Sequence, residues 1–132
     1  MLSVGLLIIR LIIGLLFVGH GAQKLFGWFG GHGLKGTGSW FESIGMKPGV
    51  TVALLAGLSE LFGGIMFALG LLTPLAGIII AGTMVMAIVK VHGANGLWVT
   101  NNGYEYNLTL LAVTIGIALT GPGQYAVDTF LF

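Results

Sequence analysis

The sequence contains no cysteine and very little charge. Of its 132 residues, five are lysine or arginine and four are aspartate or glutamate, so only 7% are charged. Soluble domains carry about 25% charged residues, and a soluble chain that is 56% hydrophobic could not cover its surface. Without cysteine, the chain itself cannot exchange disulfides, ligate an iron–sulfur cluster or form a c-type haem linkage. The composition therefore predicts an integral membrane protein in contact with the lipid bilayer.

The net charge of +1 excludes another class of partner. No basic stripe is present that would neutralise phosphates, so we do not expect nucleic acid binding. The N-terminus, Met1-Leu2-Ser3-Val4, lacks the positive region of a signal peptide, and no small-residue cleavage site follows the apolar run. We therefore expect the first apolar segment to remain as a mature helix. The length fits a single domain, residues 1–132.

Four apolar segments match the roughly 17 to 25 helical residues that cross a hydrocarbon core about 30 Å thick. They cover residues 2–25, 50–72, 75–91 and 104–120. The second ends at Thr73-Pro74 and the fourth at Gly121-Pro122-Gly123, because proline and the residue before it disfavour a helix. The sequence thus predicts an all-α, four-transmembrane-helix bundle, with the tail 124–132 packed at the interface.

Two long connections, residues 27–48 and 92–103, join these segments. The first is rich in tryptophan and phenylalanine, which favour the headgroup region, so we expect a short interfacial helix around Ser39 to Ile44. Most of the positive charges lie in or beside the connections: Lys24, Lys35, Lys47 and Lys90. The terminal side of the predicted bundle has no lysine or arginine. By the positive-inside rule, the connections are cytoplasmic and both termini face outward.

Arg10 and Glu60 are ionisable residues within predicted spans. A charge there costs at least ~3 kcal/mol and usually faces the bundle interior with a partner. Arg10 lies roughly 12 Å along the first helix and Glu60 roughly 15 Å along the second, which enters from the opposite side. We therefore expect an intramembrane ion pair between them. Gly57 and Gly64 share the face of Glu60 and would let another helix approach closely. The pair could fix the helix register only, or it could serve proton transfer or ligand binding.

A second polar group lies where the first helix ends. Arg10, Gly14, Phe17, Gly21 and Lys24 recur at helical spacing, so Lys24 continues the face of Arg10 toward the cytoplasm. His20 lies on an adjacent face. The topology brings the end of the third helix and the start of the fourth to the same membrane level.

We predict that five polar residues at this level form one cluster that binds a substrate or a quinone. They are His20, Gln23, Lys24, His92 and Glu105. The alternative is ordinary interfacial anchoring, in which lysine extends to the headgroups and aromatic residues sit among them. Anchoring is sufficient for three neighbours: Lys90, Trp98 and Tyr104.

Other apparent motifs give weaker evidence of function. The run Gly31-His32-Gly33-Leu34-Lys35-Gly36 matches G-x-G-x-x-G, but no βαβ unit surrounds it, so a dinucleotide site is not expected. His20 and His92 could ligate a haem between helices, but they lack a spacing signature, so haem is not expected either. The sequence assigns no metal site and no catalytic residue.

Several short motifs occur along nearly the whole chain. They are His20-Gly-Ala-Gln-Lys-Leu-Phe-Gly27, Glu60-Leu-Phe-Gly-Gly64, Gly70-Leu-Leu-Thr73, Val91-His92 and Gly121-Pro-Gly123. Together they resemble the DoxX family of small bacterial membrane proteins. The resemblance implies a four-helix protein of the bacterial inner membrane. It also implies an association with quinone-linked oxidoreductases or with quinone, catechol and oxidant stress. The family has no settled catalytic residues to carry over.

We therefore expect a quinone-associated membrane protein, either part of an oxidoreductase system or protective against quinones. A quinone needs an apolar slot, hydrogen-bond donors and a proton route, and histidine titrates near neutral pH. No side chain here can hold an electron, so a soluble or membrane redox partner would supply electrons. The sequence assigns no enzymatic activity to the chain alone. Two alternatives stay open: a transporter, formed as a homo-oligomer with Arg10 and Glu60 along its path, and a scaffold that recruits soluble redox enzymes.

Overall fold

The computed structural model describes all 132 residues and contains only helices and the turns between them. The helices are α1, Leu2–Phe26; α2, Gly33–Ser43; α3, Gly49–Leu69; α4, Thr73–Ala87; α5, Glu105–Thr120; and α6, Val127–Leu131. Helix α4 continues into a π-helical turn over Ile88–His92 and a 3₁₀ turn over Gly93–Asn95. The all-helical class is confirmed.

Three helices are long and apolar enough to cross a membrane: α1, α3, and the continuous helix from Thr73 to Asn95. Helix α5 is also apolar but has only 16 residues. At 1.5 Å per residue it is about 24 Å long, which is shorter than a hydrocarbon core of about 30 Å.

Glycines with left-handed backbones end the first and third helices. Helix α1 stops at Phe26 because Gly27 has a φ of 75°. Helix α3 stops at Leu69, three residues before the predicted end, because Gly70 has a φ of 67° and forms its C-terminal cap. Pro74 lies in the first turn of α4, where its missing N–H costs no hydrogen bond. Proline therefore begins α4 here rather than ending α3.

Helix α2 is longer than the segment predicted around Ser39 to Ile44. It begins at Gly33 and packs against the start of α3. A Cβ atom at Gly49 would overlap the carbonyl oxygen of Gly38, so the two backbones touch at this crossing. The location of α2 at the membrane interface stays a prediction.

The closest packing in the molecule joins α1 to α3. A Cβ atom at Gly14 would lie 2.6 Å from the carbonyl oxygen of Gly64, and one at Gly21 would lie 2.8 Å from that of Gly57. Small residues thus let the two backbones meet over two helical turns. The face of α1 that begins at Arg10 is buried here, which confirms the helical pattern in the sequence.

A hydrophobic core joins α1, α3, α4 and α5. It contains Phe17 from α1, Phe67 from α3, Ile80 from α4, and Leu110 and Ile117 from α5. Most helix–helix contacts join α1 to α3, α3 to α4, and α4 to α5.

Candidate functional site

An ion pair between α1 and α3 lies near the end of the bundle where α1 finishes. The Nζ atom of Lys24 donates to both carboxylate oxygens of Glu60, at 2.9 and 2.8 Å. The Glu60 side chain is 9% exposed and that of Lys24 is 24% exposed. Two hydrogen bonds between opposite charges compensate the cost of holding the carboxylate among apolar helices.

The predicted ion pair between Arg10 and Glu60 is wrong. The depths of Arg10 and Glu60 were counted from opposite membrane surfaces, so the two residues meet only if each helix begins at its own surface. The contacts of Gly14 with Gly64 and of Gly21 with Gly57 instead set a register in which Lys24 lies beside Gly57, and its long side chain reaches the carboxylate of Glu60. Arg10 is 14 residues before Lys24 in α1, which places it about 21 Å farther along the helix.

The Lys24–Glu60 pair lines a cavity of about 420 Å³ between α3 and α4. Its walls are mainly apolar, formed by residues such as Phe41, Met46, Leu55, Ile79 and Met86. The polar side chains that line it are Lys24, Ser59, Glu60, Thr83 and Lys90. An apolar cavity with a few convergent polar groups is the usual form of a small-molecule site.

Lys90 enters the cavity wall from the π-helical turn after α4. Such turns change the direction of side chains within a helix and are frequent at functional sites. Lys90 makes no ion pair, because the single salt bridge of the molecule joins Lys24 to Glu60. Sequence reasoning had assigned Lys90 to interfacial anchoring, since no pattern in the sequence indicates a π-helical turn.

The two hydroxyl groups of the cavity differ in whether they can bond a ligand. The Oγ1 atom of Thr83 donates to the carbonyl of Ile80 at 2.7 Å, whereas Ser59 has no hydrogen bond within the protein. Ser59 also lies next to Glu60 in α3. Its hydroxyl is therefore free to bond a ligand.

His20 and Gln23 lie on another face of α1. They line a separate surface cleft of about 450 Å³ with Leu15, Leu16 and Phe29. The Nε2 atom of Gln23 donates to the carbonyl of Phe29 at 3.2 Å, so the side chain also holds the turn after α1.

His92 and Glu105 make hydrogen bonds within the connection between α4 and α5. The Nδ1 atom of His92 bonds the carbonyl of Asn102 at 2.9 Å, and Glu105 accepts the N–H of Val99 at 3.0 Å. The five predicted cluster residues thus occupy three environments: Lys24 with Glu60, His20 with Gln23, and this connection. Their roles in ligand binding stay predictions.

Arg10 lies at the opposite end of the bundle and is fully buried. Its Nη2 atom donates to the carbonyl of Tyr125 in the tail. The Nε and Nη1 atoms are buried without a hydrogen-bond partner. The closest fit is against Gly70, where a Cβ atom would overlap Nη1. Arg10 is therefore covered by the end of α3 and by the tail.

Asp128 attaches the same tail to the start of α4. Its carboxylate accepts the N–H groups of Leu72 and Thr73, at 2.6 and 2.9 Å, and the Thr73 hydroxyl at 2.8 Å. Burial would raise the pKa of Asp128, but these hydrogen bonds and the charge of Arg10 together hold the pKa below its ordinary value. Sequence reasoning missed this residue. The available signal was an acidic residue in an otherwise apolar tail, together with a helix that has no acidic residue in its own first turn.

No group of three or more histidine, cysteine, aspartate or glutamate side chains is placed to hold a metal ion. The two buried charged residues lie in different places: Glu60 lines the cavity and Arg10 lies beneath the tail. Of these two places, the cavity offers space for a ligand.

Comparison with known proteins gives a consistent family relationship. The DoxX family model matches residues 5–93. The chain is 34% identical over 130 residues to "Putative oxidoreductase CatD" of Bacillus subtilis (strain 168), covering 98% of this chain and 89% of that protein. It is 30% identical over 129 residues to "Inner membrane protein YqjF" of Escherichia coli (strain K12), covering 98% and 93%. It is 32% identical to "Uncharacterized membrane protein Rv3486" of Mycobacterium tuberculosis (strain ATCC 25618 / H37Rv), covering 91% and 77%. No solved structure matches the chain. The resemblance seen in the motifs is confirmed.

Proposed function

This chain belongs to the DoxX family of membrane proteins, and we propose that it binds the ring of a quinone in the cavity between α3 and α4. In this proposal it is a subunit or accessory of a membrane oxidoreductase system, or a component that protects the membrane from quinones. The observation that carries the proposal is the ion pair of Lys24 and Glu60 in the wall of an apolar cavity.

The chemistry of the cavity suits such a ring. A volume of about 420 Å³ is within the range of small-molecule sites, and the apolar walls favour a flat hydrophobic ring over water. Lys24 and Lys90 supply hydrogen-bond donors for the carbonyl oxygens. The Glu60 carboxylate, bonded to Lys24, can accept a hydrogen bond from a ring hydroxyl.

Electron transfer is assigned to a partner. Reduction of a quinone to a quinol needs electrons as well as protons, and none of the cavity side chains stores electrons. The chain would bind the ring, orient it through Lys24, Glu60 and Lys90, and exclude water, while a redox protein or its cofactor supplies the electrons. The name of the Bacillus subtilis relative, "Putative oxidoreductase CatD", supports a link to redox chemistry.

The test is saturable binding of a short-chain naphthoquinone to the purified protein in detergent. Ser59→Leu fills the cavity without changing its charge and should weaken binding by at least about tenfold. Ser39→Leu is the matched control, because Ser39 is exposed on α2 and lies outside the cavity. Equal binding by both variants, or binding by the wild type no stronger than by empty micelles, would contradict the proposal.

The cleft at His20 and Gln23 is the second candidate location for the ring. It also combines apolar walls with two hydrogen-bonding side chains. If the ring binds there, His20→Ala should weaken binding and Ser59→Leu should not. Comparison of His20→Ala with Ser59→Leu therefore shows whether the ring binds in the cleft or in the cavity.

We further propose four membrane crossings within one domain, residues 1–132, in the bacterial inner membrane. The Gln124 N–H bonds the Ser3 hydroxyl at 3.1 Å, and Asp128 bonds the turn between α3 and α4. The start of α1 and the end of α5 thus share one end of the bundle, which supports an even number of crossings. The lysines lie toward the other end, which supports a cytoplasmic location for the cavity. The name of the Escherichia coli relative supports the inner membrane.

A further inference from the structure

The charges that line the cavity do not cancel. Lys24 and Glu60 form a neutral pair, with two hydrogen bonds between them. Lys90 is the remaining ionisable side chain of the wall, and it has no ion-pair partner. The cavity therefore carries one uncompensated positive charge beside apolar walls.

No carboxylate lies within ion-pair distance of Lys90. Glu42 of α2 follows Phe41 in the chain but does not line the cavity. The parts of α2 and of the following turn that line the cavity are apolar, Phe41 and Met46. Glu105 is hydrogen-bonded to the N–H of Val99 and makes no ion pair with Lys90. The π-helical turn carries Lys90, which lines the open edge of the cavity and is itself exposed.

We infer that the cavity selects the ionised form of a phenolic ring, and that Lys90 is the residue that sets this preference. The inference rests on the proposed function and names the form of the ring that the site prefers. A quinone is neutral and offers only acceptor oxygens. Its reduced, phenolic form has hydroxyl groups that can ionise. A cation within about 4 to 6 Å of a phenolic oxygen stabilises its anion and lowers its pKa.

The Lys24–Glu60 pair sets the position of the ring in this site. A phenolate beside Lys90 is kept away from Glu60 by the repulsion between two negative charges. The hydroxyl of Ser59, next to Glu60, can bond the opposite side of the ring. The ionised oxygen is therefore expected at the π-helical turn.

The test uses 4-nitrophenol, whose anion absorbs visible light and whose neutral form does not. Spectra of the probe are recorded against pH with wild-type protein in detergent, and with the same micelles without protein. The wild type should lower the pKa of the bound probe by about 1 to 3 relative to the micelles. Lys90→Gln should remove most of this change, and Lys90→Arg should retain it because the cation is kept. Lys35→Gln is the matched control, since Lys35 is an exposed lysine of α2 outside the cavity.

Each result decides a different question. A bound probe with an unchanged pKa, or a full change in Lys90→Gln, overturns the role of Lys90 but leaves quinone binding intact. Failure of the probe to bind while the naphthoquinone binds also overturns the inference alone. Failure of both ligands overturns the proposed function as well.

Discussion

At the scale of single residues, the pairing of Lys24 with Glu60 determines how the bundle accommodates charge. Glu60 has one charged partner, so Lys24→Met leaves a largely buried carboxylate without compensation. Loss of a hydrogen-bonded partner of a charged group costs about 2 kcal/mol. We expect Lys24→Met and Glu60→Gln each to lower the melting temperature in detergent, and the double variant to lose less than the sum.

Arg10 provides the control for this coupling. It is bonded to Tyr125 and lies far along α1 from Glu60. The combination of Arg10→Met with Glu60→Gln should therefore be additive within about 0.5 kcal/mol. Strong coupling of Arg10 with Glu60, and none of Lys24 with Glu60, would contradict the register described here.

Asp128 gives a pH-dependent prediction. Because its pKa is lowered in the folded protein, its contribution to stability is complete above the pKa of the unfolded chain and is lost as pH falls through the folded pKa. Asp128→Asn should therefore cost about 1 kcal/mol at neutral pH, the usual value of a helix cap. The difference between the variant and the wild type should vanish in strong acid. Thermal melts in detergent from neutral to acidic pH would measure it, and a difference that grows toward acid would contradict the cap.

The sequence predicted which residues would be unusual more reliably than it predicted their partners. Arg10 and Glu60 stood out because charges within apolar segments are costly, and both are buried. Their partners depended on the register of α1 against α3, which backbone contacts between glycines determine. Asp128 meets Thr73 across 55 residues of chain, and no periodic pattern encodes such a contact.

At the scale of helices, the glycine contacts between α1 and α3 give the sharpest test. Gly64→Ala places a Cβ atom 2.6 Å from the backbone oxygen of Gly14, so the helices must separate. We expect a loss of about 1 to 3 kcal/mol, as for other overpacked interiors. Gly116→Ala is the matched control, because a Cβ there meets nothing within 4 Å and alanine favours a helix by about 1 kcal/mol. The melting temperature should fall for the first variant and rise or stay level for the second.

Helix boundaries followed from the sequence to within one residue where apolar length and a glycine or proline agreed, as at Phe26 and Thr120. The observed boundaries differed from the predicted ones where the local sequence signals were weak. The first four residues of α2, Gly33 to Gly36, include two glycines, so helix propensity alone does not predict their conformation. Their helix forms because α2 packs on the start of α3. The π-helical turn at Lys90 likewise has no sequence signature, and the cavity partly depends on it.

At the scale of the whole molecule, the two ends of the bundle differ. At one end the tail covers Arg10 and caps α4 through Asp128. At the other end, Lys24 and Lys90 line an open cavity. Binding at the second end need not disturb the first, because about 21 Å of α1 separates Lys24 from Arg10.

This difference between the two ends predicts how the protein is oriented in the membrane. The chain has no cysteine, so a single introduced cysteine reports its own side without background. Lys35→Cys should react with an impermeant maleimide only after the inner face of the membrane is opened, as the lysine distribution requires. Thr129→Cys, in the tail beside Asp128, should react in intact spheroplasts. Reaction of both positions from the same side would contradict the placement of α2 and the tail at opposite ends of the bundle. Exchange of the two results would keep the bundle and reverse its orientation, which would place the cavity on the outer side.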